Sequence, residues 1–160
     1  MKYFILTIIA FTSLSCYSQT TYTFDKNAGT YCCTNVYFQK ISKDLRYELM
    51  IEVKLDSIPK LQEIDITKYP KFITIYINKY EINNPNIYEI CDDAPYYYKD
   101  AKPPTTFKAI SGKFIISSIS TKDHIISANI KNVILVDKSN NKIKLPSENF
   151  VNLFYGWMGG

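Results

Sequence analysis

Residues 44–55 read DLRYELMIEVKL, and apolar side chains occupy every second position from Leu45 to Leu55. Charged residues and one methionine lie between them. Because successive side chains of a strand point to opposite faces, this period of two predicts a strand with one buried face and one solvated face. A helix would scatter the same apolar residues around its circumference. The stretch therefore favours an antiparallel sheet as the framework of the chain.

The remaining sequence has the same β character. Runs rich in β-branched and aromatic residues alternate with turn signals such as NNPN at 83–86 and DKSNN at 137–141. A bulge is predicted at Ser111 and Gly112. About eight strands joined by short turns indicate an all-β, Ig-like antiparallel β-sandwich, with a lipocalin-like β-barrel as the alternative. Besides 44–55, strands are expected at 30–41, 72–80, 87–91, 107–120, 124–136, 142–145 (stopped by Pro146) and 149–157, the last as a strand or a short helix.

Residues 1–18 are predicted to be a signal peptide. Lys2 supplies a positive charge, and an uncharged, largely apolar run follows at 3–14. This run is too short for a membrane-spanning helix, which needs roughly 20 apolar residues. Cleavage is predicted after Ser18, so that residues 19–160 form a single exported domain. The segment resembles bacterial signal peptides, which implies release into the periplasm or the extracellular space.

A lipid anchor on Cys16 is the alternative fate of this segment. Lipoprotein signals usually carry an aliphatic residue three positions before the cysteine, whereas here Ser13 holds that place and Leu14 stands one position late. This departure favours cleavage after Ser18. With a lipid on Cys16 the protein would be anchored to the outer membrane, and without it the sequence indicates no membrane contact.

The charge distribution argues against a nucleic-acid-binding protein. The formal net charge of +4 includes Lys2, and the other basic residues are spread along the chain with acidic residues between them. No block of five or more basic residues occurs. The length is that of one ordinary domain, which buries enough surface to fold without a metal or dense disulfides.

Three cysteines remain after the predicted cleavage, an odd number for an oxidising compartment. Cys32 and Cys33 are neighbours, so in a strand they point to opposite faces and at most one of them can face Cys91. We expect one disulfide, from Cys32 or Cys33 to Cys91. Such a bridge closes a loop of about 59 residues, which stabilises by roughly 4 kcal/mol in the chain-entropy model. The alternative is that all three are buried free thiols.

The irregular stretch 91–104 is the best candidate for a binding site. It combines flat, amphipathic tyrosine rings with acidic acceptors, a mixture that binds sugars through ring stacking and hydroxyl hydrogen bonds. Loops on a rigid β scaffold commonly carry binding residues. A glycan or an envelope protein is the predicted partner, and the alternative is that the tyrosines only cover the end of the sandwich. The predicted ligand-binding residues are Asp92, Asp93, Tyr96, Tyr97, Tyr98 and Asp100.

Catalytic and metal-binding chemistry is weakly indicated. The single histidine, His124, follows a predicted turn, and no Gly-x-Ser-x-Gly nucleophile motif accompanies it. The cysteine spacing matches no zinc motif, and Asp92 and Asp93 lack the ligand spacing of an EF-hand. We predict no cofactor, no metal and no catalytic residue, with His124 at the surface and Glu48 and Glu52 on solvated strand faces. The predicted function is a non-catalytic binding or accessory module, and a secreted hydrolase is the alternative.

The mass of the exported protein distinguishes cleavage of the signal peptide after Ser18 from lipidation of Cys16. We expect a mature chain that begins at Gln19, because small residues at Cys16 and Ser18 fit the subsites of the general signal peptidase. Intact-mass spectrometry of the protein from periplasm or medium measures this, and adding a reductant reports the predicted disulfide as a small gain in mass. A lipid adduct that is lost in Cys16→Ala would contradict the prediction of release.

Overall fold

The computed structural model describes residues 24–32, 35–81 and 102–155. These residues form eight strands and two single turns of 3-10 helix, at Leu55–Ser57 and Ile66–Lys68, with no α-helix among them. Every strand pairing is antiparallel, and the predicted all-β class is confirmed. The stretch 30–41 was predicted as one strand, but it contains the end of one strand at Cys32 and the start of the next at Asn35. No helix in the described part of the chain has the length and apolar character that a membrane crossing requires. The strands are β1 (Phe24–Cys32), β2 (Asn35–Ser42), β3 (Tyr47–Val53), β4 (Ile64–Asp65), β5 (Ile73–Lys79), β6 (Thr105–Ser120), β7 (Ile125–Val136) and β8 (Lys142–Phe154).

The eight strands belong to one sheet. Along this sheet the order is β1-β2-β3-β5-β6-β7-β8, and the short β4 pairs with β6 beside this path. The sheet curls into a half-barrel, and β1 and β8 come into contact although they stand at opposite ends of the order. Because the curled sheet encloses its own inner face, the architecture is consistent with both the sandwich and the barrel predicted from sequence.

The inner face of the curled sheet is the hydrophobic core. Its centre is Phe38 of β2, whose ring meets Phe114 of β6 and Phe150 of β8 edge-on, at centroid distances of 5.9 and 5.5 Å. All three rings are fully buried. Since β2 and β8 lie near opposite ends of the strand order, these contacts join the two sides of the curl. Aliphatic side chains surround the rings, including Val36, Leu49, Ile51, Val53, Ile73, Ile75, Ile77, Ile116, Ile126, Ile130, Leu135 and Leu145.

A buried ion pair also crosses the inner face. Lys40 lies two positions beyond Phe38 in β2, and only 8 % of the residue is exposed. Its Nζ lies 2.6 Å from Oε2 of Glu148 in β8 and 5.2 Å from the centroid of the Phe150 ring. An ammonium group taken out of water needs such partners, so this contact favours one relative position of β2 and β8.

Strand β6 changes its partner along its length because of a bulge. Register shifts against β7 occur on both sides of Ser111, and Gly112 has a φ of +143°. The predicted bulge at Ser111 and Gly112 is therefore confirmed. Before the bulge, residues 105–108 pair with β5, and after it Lys113 and Phe114 pair with β4. The bulge thus marks the place where β6 leaves β5.

Strand β3 confirms the strand predicted at 44–55 and corrects its limits and its outer face. It begins at Tyr47, because Leu45 has a φ of +57° and the Ser42 hydroxyl accepts from the Tyr47 N–H at 2.9 Å. The face predicted to be solvated is largely buried, with Glu48 and Met50 only 7 % and 5 % exposed. Amide side chains of β2 and β5 donate to the Glu48 carboxylate, which explains how it tolerates burial.

Strand β8 corrects a second prediction. Pro146 predicts the end of a short strand, whereas the structure has one continuous strand from Lys142 to Phe154. β8 is an end strand of the sheet, where a proline without an N–H interrupts no ladder to a further strand. Pro146 stands across from Asn132, which has a φ of +51° and lies outside the β7–β8 register.

We expect Gly112→Ala to lower the free energy of unfolding by about 1–3 kcal/mol. An added Cβ would lie 2.8 Å from Cγ2 and 2.9 Å from Cα of Val133, and the φ of +143° disfavours any L side chain. Urea unfolding followed by circular dichroism measures the change. Ser111→Ala is the matched control in the same bulge and should change stability by less than about 0.5 kcal/mol. Equal losses in both variants would contradict this role of Gly112.

Candidate binding face

The ligand-binding residues predicted in the stretch 91–104 lie outside the described residues. The described chain marks only where the segment 82–101 is attached. Glu81 follows β5 and Lys102 precedes β6, and their side chains form an exposed ion pair at 3.1 Å. Both attachment points therefore lie at one end of the neighbouring strands β5 and β6. The residues that remain a prediction from sequence are Asp92, Asp93, Tyr96, Tyr97, Tyr98 and Asp100.

The predictions for the cysteines also fall outside the described side chains. Cys16, Cys33 and Cys91 lie outside the described residues, and Cys32 ends β1 without a described side chain. The disulfide from Cys32 or Cys33 to Cys91 and the lipid anchor on Cys16 remain predictions.

His124 lies at the surface, as predicted. It ends the turn between β6 and β7 with a φ of +52°, and its carbonyl oxygen accepts from the N–H of Tyr155 at 2.7 Å. The imidazole packs edge-on against Phe154 and Tyr155, with ring centroids 6.1 and 6.0 Å away. Within the described ranges, no three His, Cys, Asp or Glu side chains come close enough together to hold a metal ion.

A polar surface on the outer side of β2, β3 and β5 is the strongest candidate site. Alternate residues of these strands, such as Phe38, Leu49 and Ile77, fill the core, so the residues between them point outward. The antiparallel register places outward residues side by side, as with Glu48 opposite Asn78. We define the outer polar face as Tyr37 and Gln39 of β2, Glu48 and Glu52 of β3, Tyr76 and Asn78 of β5, and Thr106 of β6.

Glu48 is the centre of the outer polar face. Its Oε1 accepts from Nε2 of Gln39 at 2.7 Å, and its Oε2 accepts from Nδ2 of Asn78 at 2.9 Å and from the Tyr80 hydroxyl at 3.2 Å. Oδ1 of Asn78 in turn accepts from the Thr106 hydroxyl at 2.8 Å. One hydrogen-bond network therefore connects β2, β3, β5 and β6.

The hydrogen bonds to Glu48 stabilise a carboxylate that is nearly out of water. Glu48 is 7 % exposed and Gln39 is fully buried, and no lysine or arginine of the described chain forms an ion pair with Glu48. Hydrogen bonds to a charged acceptor are stronger than neutral ones and offset the lost hydration. Because both of its oxygens are engaged, Glu48 fixes its neighbours and leaves ligand contact to them.

Tyr76 is the side chain of this face that is available to a ligand. Burial raises the pKa of its hydroxyl, and the negative charges of Glu48 and Glu52 raise that pKa further. The phenol therefore stays protonated at neutral pH and can donate a hydrogen bond. No described residue hydrogen-bonds to this hydroxyl.

Glu52 supplies an acceptor on the same face as Tyr76. One of its oxygens, Oε1, accepts from Nδ2 of Asn35. The other oxygen has no hydrogen-bond partner among the described residues. Glu52 and Tyr76 are both half-buried, so their unoccupied groups are within reach of a molecule that covers the face. The outer polar face thus presents a hydroxyl donor and a carboxylate acceptor on a fixed support.

The arrangement of the two carboxylates suits binding better than glycoside hydrolysis. In a glycosidase both carboxyl groups must reach the scissile bond. The two oxygens of Glu48 accept hydrogen bonds from protein donors, whereas a catalytic acid or base must exchange a proton with substrate.

The solvated position predicted for Glu48 is wrong. Glutamates that alternate with apolar residues usually face water, and nothing within β3 itself distinguishes Glu48 from Glu52. The available signal lies in other strands, where Gln39 and Asn78 interrupt apolar runs. Amide side chains are depleted in strands and need partners when buried, so their presence indicates a polar network.

We expect Glu48→Ala to lower the free energy of unfolding by about 2–5 kcal/mol, because the buried amide of Gln39 and the half-buried amide of Asn78 would lose the carboxylate to which they donate. Glu52→Ala is the matched control, since Glu52 lies on the same strand and face but is half-buried and, among the described residues, accepts from Asn35 alone. Its expected loss is about 1 kcal/mol. Urea unfolding measures both variants, and equal losses would contradict the central role of Glu48.

We compared the chain with protein families, with curated proteins and with solved structures. No family model, no curated protein and no solved structure matches it. Its function is therefore inferred from its own side chains and their arrangement.

Proposed function

We propose that this protein is an exported, non-catalytic binding module of the periplasm or cell surface and that its outer polar face binds a glycan. An envelope protein is the alternative partner. The observation that carries the proposal is the pair formed by the hydroxyl of Tyr76 and one oxygen of Glu52, neither of which has a hydrogen-bond partner among the described residues. These two groups lie on neighbouring strands of one face, and the network around Glu48 holds that face in place.

The chemistry of a sugar matches these groups. Sugar hydroxyls both donate and accept hydrogen bonds, so a carboxylate acceptor and a phenol donor can engage adjacent hydroxyls. The tyrosine ring at position 76 offers apolar surface for the C–H face of a sugar ring. Mixed surfaces of this kind, apolar rings with a few placed polar groups, are typical of small-molecule sites.

The support beneath the face favours binding with little reorganisation. Glu48 contacts side chains from two neighbouring strands, and the Thr106 hydroxyl extends the network to a third. Side chains that are already fixed lose less conformational entropy when a ligand arrives. Residues Tyr96, Tyr97 and Tyr98 are the further contacts predicted from sequence, and the segment that carries them is attached beside Tyr80, which donates to Glu48.

The location proposed for this module, the periplasm or the cell surface, rests on the signal peptide predicted at residues 1–18. Cleavage after Ser18 would release the domain into the periplasm or the medium. A lipid on Cys16 would instead anchor the same domain to the outer membrane. Either fate leaves the outer polar face as the proposed binding surface.

Calorimetric titration with a panel of soluble glycans, including peptidoglycan fragments and neutral and acidic oligosaccharides, tests the proposal. We expect at least one of them to bind and Tyr76→Phe to weaken that binding about threefold to tenfold, since the variant removes only one hydroxyl. Tyr69→Phe is the matched control, because Tyr69 packs against the core and lies outside the face. Its expected effect on affinity is negligible.

Two results would overturn the proposal as stated. One is that no glycan of the panel binds to the exported chain. The other is that Tyr76→Phe binds as tightly as the natural chain. The triple replacement of Tyr96, Tyr97 and Tyr98 by alanine reports separately on the residues predicted from sequence, and it should weaken binding without lowering the urea midpoint.

A further inference from the structure

The ladder between β5 and β6 ends early and leaves a groove. Pairing runs from Lys79 only as far as Tyr76, which lies opposite Lys108. Beyond this point β6 bends at its bulge. The next strand that pairs with β6 on the side away from β7 is β4, where Asp65 stands opposite Lys113. Within the described chain, no strand pairs with residues 109–112 on the side away from β7.

This opening, the β5–β6 groove, is large enough for a ligand. Its volume is about 430 Å³, within the range of ligand sites in proteins. The buried side chains of Ile66, Ile73 and Ile75 reach it from the core. Lys108 and Ile110 stand at its rim, and the apolar side chain of Ile110 is 51 % exposed.

Two kinds of unsatisfied surface meet in the β5–β6 groove. The first is apolar and belongs to Ile110, since Ile66, Ile73 and Ile75 are at most 6 % exposed. The second is main chain, because the N–H and C=O groups of a strand point alternately to its two neighbours. Residues 109–112 have a neighbour only in β7, so their groups on the other side have no ladder partner in the described chain.

An extended peptide satisfies both surfaces, whereas other ligand classes satisfy one. A hydrocarbon ligand would cover Ile110 and leave the main-chain groups unpaired in an apolar setting. A wholly polar ligand would pair the main chain and leave the exposed side chain of Ile110 in contact with water. A peptide strand supplies hydrogen bonds through its backbone and apolar cover through alternate side chains.

We propose that the β5–β6 groove binds an extended peptide segment of a partner protein by strand addition. The gap from Lys108 to Lys113 spans about 16 Å of strand, which accommodates four or five residues. The ammonium group of Lys108 at the rim favours a peptide with an acidic side chain at that end. The groove uses residues outside the outer polar face, so this proposal does not depend on glycan binding.

A phage-displayed library of random seven-residue peptides, selected on the exported chain, is the probe. We expect enrichment of peptides that alternate apolar side chains and carry Asp or Glu. N-methylation of the backbone amides of an enriched synthetic peptide should weaken binding about tenfold or more, because strand addition uses backbone N–H groups. Calorimetry measures the affinities of the parent and the methylated peptide.

Two rim variants locate the bound peptide. Ile110→Asp should weaken binding of the enriched peptide about tenfold, and Lys108→Glu should change the selected peptides from acidic to basic. Val151→Asp is the matched control, because Val151 is a similarly exposed apolar residue, at 58 %, on the distant β8. All three sites are exposed, and equal urea midpoints would verify that the variants fold.

Several outcomes would overturn the proposal. They are the absence of any enriched peptide, equal binding of such a peptide to the natural chain and to Ile110→Asp, and equal binding of the N-methylated and parent peptides. We expect Tyr76→Phe, which should weaken glycan binding, to bind the enriched peptide as tightly as the natural chain does. The glycan proposal and the peptide proposal can therefore fail independently.

Discussion

The packing of Phe38 against Phe114 and Phe150 is the contact on which the remaining structure depends. A single sheet has two faces, and without a second layer neither face is removed from water. These rings bring β2 onto β6 and β8, so the sheet encloses its own inner face. Aromatic pairs with this edge-on geometry add to the stabilisation that comes from burial alone. The same curl leaves the other side of β2, β3 and β5 as an outer face with polar character.

Two buried polar contacts give the curled sheet its specificity. Lys40 and Glu148 join β2 to β8 on the inner face, and Glu48 joins β2, β3 and β5 on the outer face. A shift of register by one residue would turn each of these side chains to the opposite face and leave it without its partners. Hydrogen bonds between buried polar groups rigidify a fold, and losing the partner of such a group is costly. The rigid outer polar face is therefore a consequence of how the sheet is held together.

Local patterns were sufficient to predict strands such as β3, but not all strand limits and not the surroundings of the strands. The alternation at 44–55 predicted β3, and Ser111 with Gly112 predicted the bulge in β6, because both signals lie within a few residues. The burial of Glu48 escaped prediction because its donors Gln39 and Asn78 are 9 and 30 residues away in sequence. Pro146 was misleading for a related reason, since a proline ends a central strand but is accommodated in β8 at the end of the sheet.

The sequence by itself determined the all-β class, because the two-residue period of a strand is a property of neighbouring residues. It also placed a turn histidine at 124 and a bulge at 111–112. Only the tertiary structure decided which strand faces are buried, which polar groups meet around Glu48, and where β6 parts from β5 to leave a groove. These features depend on the order and register of strands that are distant in the chain, and contacts between distant residues arise only when the sheet curls and closes.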